Sequence, residues 1–350
     1  MSSNVKPGYV RPVDFRRGIV DLAHGGGGRA MSQLIDELFR REFDNPWLDQ
    51  GNDNALLARP EGRLVMATDS HVVSPLFFPG GDIGSLAVHG TVNDVAMSGA
   101  RPVALSAGFI LEEGFPLADL RRIVQSMAAA ARDAGVPVVT GDTKVVERGK
   151  GDGVFINTTG IGVVPDGVQL SGDRARPGDA ILVNGTLGDH GVAIMSQREG
   201  LSFGTRIVSD SAALHGLVAG LLAGAPGLRC LRDPTRGGLA ATLNELARQS
   251  RVGLVIEEDA LPVRDEVKAA CELLGLDPLY VANEGKLVAI CPAAEAEAAL
   301  ATLRAHPLGR DAAVIGRVVE DPHHFVQMET SFGGRRNVDW LAGEQLPRIC

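Results

Sequence analysis

The chain has 350 residues, of which 45 % are hydrophobic and 22 % charged, with a formal net charge of −9. That length allows two domains of ordinary size, and the composition excludes a disordered or fibrous protein. The acidic balance argues against nucleic-acid or anionic-membrane binding, yet not against nucleotides, because Mg²⁺ bridges carboxylates and phosphates.

No apolar run reaches the roughly 18 residues that span a bilayer, and the N-terminus lacks a signal peptide's apolar core. Cys230, Cys271 and Cys291 lie in apolar runs and read as buried, reduced thiols, so a cytoplasmic setting is expected.

Along the chain, helical and strand patterns alternate. Four glycines, Gly25–Gly28, precede a helix that carries Met31, Leu34, Ile35, Leu38 and Phe39 at helical spacing. No strand leads into them, which rules out a dinucleotide-binding turn. An anion-binding flap at the helix N-terminus and a plain linker both remain open. "RLVMATD" reads as a buried strand. "DIGSLAVHGTVNDVAMSGA" reads as a helix with Asp82 as N-cap, and "LADLRRIVQSMAAAARDAG" as a second helix stopping at Gly135. Strands at "VPVVTGD" and "GVFINTTGIGVV" follow.

"PDGVQLSGDRARPGD" marks a domain boundary. Beyond it come strands at "AILVNG", "VGLVIEE", "KLVAICP" and "AAVIGRVVE". Helices are expected at "GDHGVAIMSQREG", "GGLAATLNELARQS", Val267–Leu274 and Ala293–Arg304. The fold class is α+β, in two domains. The expected divisions are an N-terminal segment at 1–45, domains at 46–166 and 177–340, and a mobile tail at 341–350.

Chemistry is concentrated in the acidic residues. Asp69 and Asp142 each end an apolar run, where carboxylates often line a site. Asp94 shares a helix face with Ile83, Ala87, Gly90 and Met97, and a carboxylate on an apolar face needs a partner cation or metal. Asp53 and Asp233 sit in turn-like contexts. Each alone reads more readily as a cap or turn residue than as a ligand, and together they point to a Mg²⁺–nucleotide site. There is no Walker A motif, HExxH or zinc-like cluster. His89, on the helix of Asp94, reads as a satisfied core or interface histidine.

The chain ends in "LPRIC", placing a thiol, Cys350, on its last residue. The stretches "ATDSHVVSPLFFPGGDIGSLAVHGTVNDVAMSGARP", "VVTGDTKVVERG", "LVNGTLGDHG", "RDPTRGG", "ANEGKLV" and "LPRIC" closely resemble the HypE family of hydrogenase maturation factors. That family lies within the aminoimidazole ribonucleotide synthetase-like superfamily. The resemblance runs from about residue 18 to the end.

It implies a homodimer paired through N-terminal sheets, with ATP held between subunits. It also implies that Cys350 receives a carbamoyl group from the carbamoyltransferase HypF. The family dehydrates that group to a thiocyanate with ATP and passes the cyanide to HypC–HypD. By the same resemblance Asp53, Asp69, Asp94 and Asp233 would hold Mg²⁺. Gly26, Gly27, Asp69, Asn93, Asp94, Gly141 and Asp142 would bind the nucleotide, Asp142 lying beside the other carboxylates. Glu284 would act as base and Lys144 as the cation steadying oxygen or phosphate.

Three rivals stand beside this reading. A selenophosphate synthetase would need a Cys near the glycine segment, and none precedes Cys230. A small-molecule synthetase or kinase would leave Cys350 without a role. From a different class, a thiol carrier would use ATP only as a conformational ligand.

Overall fold

A computed structural model describes residues 12–200, 207–341, 343 and 346–350. Of the expected N-terminal segment and tail, residues 1–11, 342, 344 and 345 lie outside that set. The first periodic segment forms α1 (Arg29–Leu34), which continues through a π-helical stretch at Ile35–Arg40 into a last turn at Arg41–Phe43. Such stretches are uncommon and frequent at functional sites; this one lines a cavity described below.

The glycines ahead of α1 are only partly a flap. Asp21 and His24 build a capping box on a short 3-10 turn at Leu22–Gly25. Gly25 is pressed against Val145, where a Cβ would stand 2.6 Å from backbone nitrogen.

β1 (Arg63–His71) leads to α2 (Ile83–Ala96), which starts at Asp82 as expected: that carboxylate accepts from the N–H groups of Gly84 and Ser85. β2 (Arg101–Glu112), absent from the sequence pattern, is the longest strand of the first sheet. α3 (Leu117–Ala134) ends at Gly135 in the left-handed region, and β3 (Val138–Val146) and β4 (Val154–Val164) complete the unit.

The four strands run in the order β1-β4-β2-β3. β2 and β3 are parallel, as the α3 crossover requires, and the other pairs are antiparallel. α2 and α3 cover one face, burying Leu86, Leu120, Ile123 and Met127 against Leu105, Phe109 and Ile156. The other face is open. Leu64, Met66 and Ile110 are 66 %, 71 % and 47 % exposed, so β1 alternates inward and outward instead of being buried throughout.

The second domain contains, in order, β5 (Asp179–Val183), α4 (Asp189–Arg198), α5 (His215–Gly224), β6 (Cys230–Arg232) and α6 (Gly238–Ser250). It continues with β7 (Gly253–Glu257), α7 (Asp265–Leu274), β8 (Val288–Pro292) and α8 (Ala296–Ala305). β9 (Ala313–Val319), β10 (Val326–Glu329) and β11 (Arg335–Asn337) end it. Its seven-stranded sheet runs β11-β10-β7-β9-β5-β8-β6 and packs α6 on one face, α5 and α8 on the other. Cys230, Cys271 and Cys291 are free and buried, as expected. Among the described residues no helix is long and apolar enough to cross a membrane.

α2 joins the two domains. Its end, Ala96 and Met97, packs with Leu214, Leu217, Val218 and Leu221 of the second domain. His89 Nδ1 lies 2.9 Å from Ser211 Oγ, as suits a satisfied interface histidine.

Candidate functional site

Asp69 lies near the end of β1 and, by register with Thr158, Ala107 and Gly141, faces the helices. A Cβ on Gly90 of α2 would come within 3.1 Å of the His71 ring and 3.5 Å of Asp69 Oδ2. The bare glycine lets α2 close on β1, and Asp94 follows one turn later. Asp233 enters from the second domain just after β6, and Glu284 from the loop before β8.

The charges of these four carboxylates act on one another. Burial, then Asp233 and Asp69, raise Asp94 to about 7. Burial, with Asp69 adding, raises Asp233 to about 6. Glu284 is pushed well above the usual range by burial first and then by Asp233, Asp210, Asp69 and Asp94. Its Oε1 is buried and without a hydrogen-bond partner, as is Nδ1 of His71. Arg232, and after it Arg236, supply opposing positive charge to Asp94.

Crowded carboxylates and orphaned polar atoms are what a cationic or polar ligand would relieve, so the residues present fit a divalent cation with a phosphate-bearing ligand. Among the described residues no three His, Cys, Asp or Glu side chains are yet arranged to hold a metal ion.

The chain's own last residue enters this cleft. Residues 346–350 are docked between the domains, with Ile349 3 % exposed in the first domain's core cluster. Burial raises the Cys350 thiol far above its usual range, and the Glu284 charge is the next cause. A thiolate is therefore strongly disfavoured here.

A second place collects other candidates. A cavity of about 700 Å³ between α1, its π stretch and β3 is lined by Gly27, Asp53, Gly141 and Asp142 together with Met31, Phe39, Phe43 and Phe109. Apolar walls with a few polar groups suit a planar base. Gly26 directly precedes this lining as the C-cap of the 3-10 turn.

Several expectations need correction. Asp142 does not lie beside the other carboxylates of its own chain. It shares a row with Gly108, Asn157 and Ser70 on the open face, three strand spacings or roughly 14 Å across the sheet from Ser70. Strand parity puts Asp69 on the opposite face. Lys144 stays with Asp142, its Nζ 2.7 Å from Oδ2, both side chains 61 % exposed. Asp53 sits in the cavity, apart from Asp69, Asp94 and Asp233. Asn93 is committed elsewhere: its Nδ2 donates to the Ala212 and Glu284 carbonyls and its Oδ1 accepts from Leu214 N–H. It staples the domains and sets the Glu284 backbone.

Other residues join the site unannounced. Arg236 lies within "RDPTRGG", three residues after Asp233, and belongs to no motif of its own. Lys286 of "NEGK" pairs with buried Asp210 at 2.8 Å, and Asp210 Oδ1 accepts from the Glu284 N–H. Burial pushes Asp210 up, but Lys286 and His190 together outweigh it and hold the carboxyl low. Asp210 stands in a segment with no helical or strand period, so nothing in the sequence announced it.

Residues 51–164 match the N-terminal domain family of AIR synthase related proteins, and residues 176–329 the corresponding C-terminal domain family. The chain is 73 % identical over 338 residues to the carbamoyl dehydratase HypE of Azotobacter vinelandii, covering 97 % of this chain and 99 % of that one. It is 70 % identical to the carbamoyl dehydratase HypE of Cupriavidus necator, over the full length of both.

A crystal structure of the hydrogenase maturation protein HypE in complex with ATP superposes with a TM-score of 0.91 at 57 % identity, covering 94 % of this chain and 99 % of that one. A HypE–HypF complex structure gives 0.78 at 51 %, covering 88 % and 99 %. Two AIR synthase related domains and this degree of identity place the chain in the HypE family of carbamoyl dehydratases.

Proposed function

We propose that Cys350 carries a carbamoyl group on its sulfur and that this chain dehydrates it to a thiocyanate with ATP, supplying the cyanide ligand for [NiFe] hydrogenase maturation. The observation that carries this reading is the placement of Cys350 against Glu284 in the carboxylate cleft. Burial and negative charge disfavour the bare thiolate there, whereas a sulfur already capped as a neutral thiocarboxamide has no charge to desolvate. The cleft suits a neutral sulfur, thiol or thiocarboxamide, and not the thiolate that attacks a carbamoyl donor. Loading then belongs outside it, on a carbamoyl donor, for which HypF is the partner, with HypC–HypD as acceptor.

Converting S–C(=O)–NH₂ to S–C≡N removes the oxygen and both nitrogen protons. ATP, when bound, supplies the phosphoryl group that turns the oxygen into a leaving group. Glu284 is the base for a nitrogen proton. Asn93 and the Asp210–Lys286 pair fix its main chain, and Arg236 offsets negative charge. Asp69, Asp94 and Asp233 would hold Mg²⁺, whose charge would relieve their repulsion and bring Glu284 down towards a range in which it accepts protons.

The cavity beside α1 would take the nucleotide base, between Phe39 and Gly141. The exposed Leu64, Met66 and Ile110 support a homodimer paired through the open sheet face. Lys144 and Asp142 rise from that face, and pairing would offer them to the partner's cleft, giving Lys144 its place near oxygen or phosphate.

The test is to carbamoylate the protein with its carbamoyltransferase, add Mg²⁺-ATP and weigh the C-terminal peptide. Loss of one water from carbamoylated Cys350, dependent on ATP, is expected. A carbamoyl adduct that persists with ATP intact would leave only a carrier.

A further inference from the structure

Each of the last four main-chain carbonyls is taken by a donor of the cleft. Arg198, at the end of α4, donates from Nη1 to the Pro347 carbonyl at 2.9 Å and from Nη2 to the Arg348 carbonyl at 3.0 Å. The Arg348 carbonyl also accepts from Ser74 N–H, and the Cys350 carbonyl from Val72 N–H, both at 3.1 Å. The Ile349 carbonyl lies 2.9 Å from Nε2 of His190, whose Nδ1 is 2.8 Å from Ser209 Oγ. A carbonyl can only accept, so Nε2 carries the hydrogen and Nδ1 accepts from the serine hydroxyl. Residues 348–350 thus lie antiparallel to Val72–Ser74, as an added strand does, while α4 of the other domain closes over them.

We propose that Arg198 and His190 form a preorganised clamp that holds the tail by its main chain and sets how long Cys350 stays in the cleft. This rests on the reading of Cys350 as a carrier that travels. Preorganisation follows from Ser74: its carbonyl accepts from Arg198 Nε at 3.1 Å and Nη2 at 2.5 Å, contacts that do not involve the tail. The guanidinium therefore stays aimed when the tail leaves, and a planar fork bridging three carbonyls has no equivalent in lysine.

His190 is fully buried, and Ser209 holds its ring through Nδ1. Because the clamp reads carbonyls and not the sulfur, it holds thiol, thiocarboxamide and thiocyanate forms alike. Tail side chains add register: Ile349 enters the first domain's core, and Arg348 donates to the Val72 carbonyl at 3.0 Å and pairs with Asp152. Arg198 and His190 are positioning residues, distant in role from the proton chemistry of Glu284.

The three buried cysteines make the test internally controlled. Full-length protein, without ATP or donor, is treated with a thiol reagent, and labelling of each cysteine is followed by peptide mass spectrometry. Arg198→Met keeps the stem and loses the fork. It is expected to speed Cys350 labelling about tenfold or more, the factor that loss of a charge-assisted hydrogen bond gives. Cys230, Cys271 and Cys291 stay protected, Arg198→Lys falls between, and His190→Ala gives the same selective rise.

An unchanged Cys350 rate in Arg198→Met, or equal acceleration of all four cysteines, overturns the clamp. Since labelling needs no dehydration, failure here leaves the carbamoyl assay standing, and failure there leaves this result standing.

Discussion

Two sets of carboxylates occupy opposite faces of one sheet and behave differently. In the cleft, Asp94 rises to about 7 and Asp233 to about 6, because burial strips their water and their neighbours are also acidic. On the open face, Asp142 is held below the ordinary range, first by its hydrogen bond from Lys144, with little burial to oppose it. The cleft stores unfavourable charge that a ligand relieves. The open pair is already neutralised and solvated, so it is free to act on something brought to it. The same residue type is tension on one side and equipment on the other.

The largest test of this contrast is Glu284→Gln. The amide removes the base but preserves shape, and burial with acidic neighbours already disfavours a charge on Glu284. Dehydration in a single turnover, followed by mass, should fall by about 10²–10⁴-fold, the usual contribution of a positioned base. Thermal stability should hold or rise. Wild-type turnover by this variant would place the base elsewhere.

Lys144→Ala probes the other face. An exposed ion pair contributes at most about 1 kcal/mol, so unfolding in urea should barely change. Dehydration should fall about 10²-fold if the ammonium steadies developing charge in the partner's cleft. Lost stability with intact turnover would reduce Lys144–Asp142 to a structural pair.

Much of the scaffold was legible because its signals are local. Asp82 caps α2 and Gly135 stops α3 through interactions within a few residues. The strand β2 escaped notice because Pro102, a register shift before Ala104, and small residues at Ala104, Ala107 and Gly108 blur any strand period.

The site divided in a way that sequence hides. Asp69 and Asp142 both follow apolar runs, yet which face each takes depends on pairing register across the two strands between them. Leu64 and Met66 read as core because this open sheet face is as apolar as an interior. Asp210, His190 and Arg198 act through tertiary contacts alone. The terminal cysteine drew attention by position, but its lodging against Glu284 needed both domains.

A last contrast lies within α2, which carries Asp94 and His89 with shifts of opposite consequence. Burial lowers His89 from 6.5 to about 4, with Asp133 opposing. Between those values the unfolded chain binds a proton that the folded one refuses, so stability falls as pH drops from 6.5 towards 4 and is level outside that window. The full displacement corresponds to roughly 3 kcal/mol. Asp94 and Asp233 work the other way: raised in the fold, they bind protons more readily there, and stability grows as pH falls through about 7 and about 6. The wild-type curve therefore mixes both senses.

His89→Gln isolates one of them, because the glutamine does not titrate. The difference in urea-unfolding stability between wild type and variant should be constant above pH 6.5 and shrink steadily towards pH 4. A difference independent of pH would mean that the imidazole beside Ser211 is protonated as easily in the fold as out of it. The interdomain joint would then owe its hold to Asn93 and the packing of Ala96 and Met97.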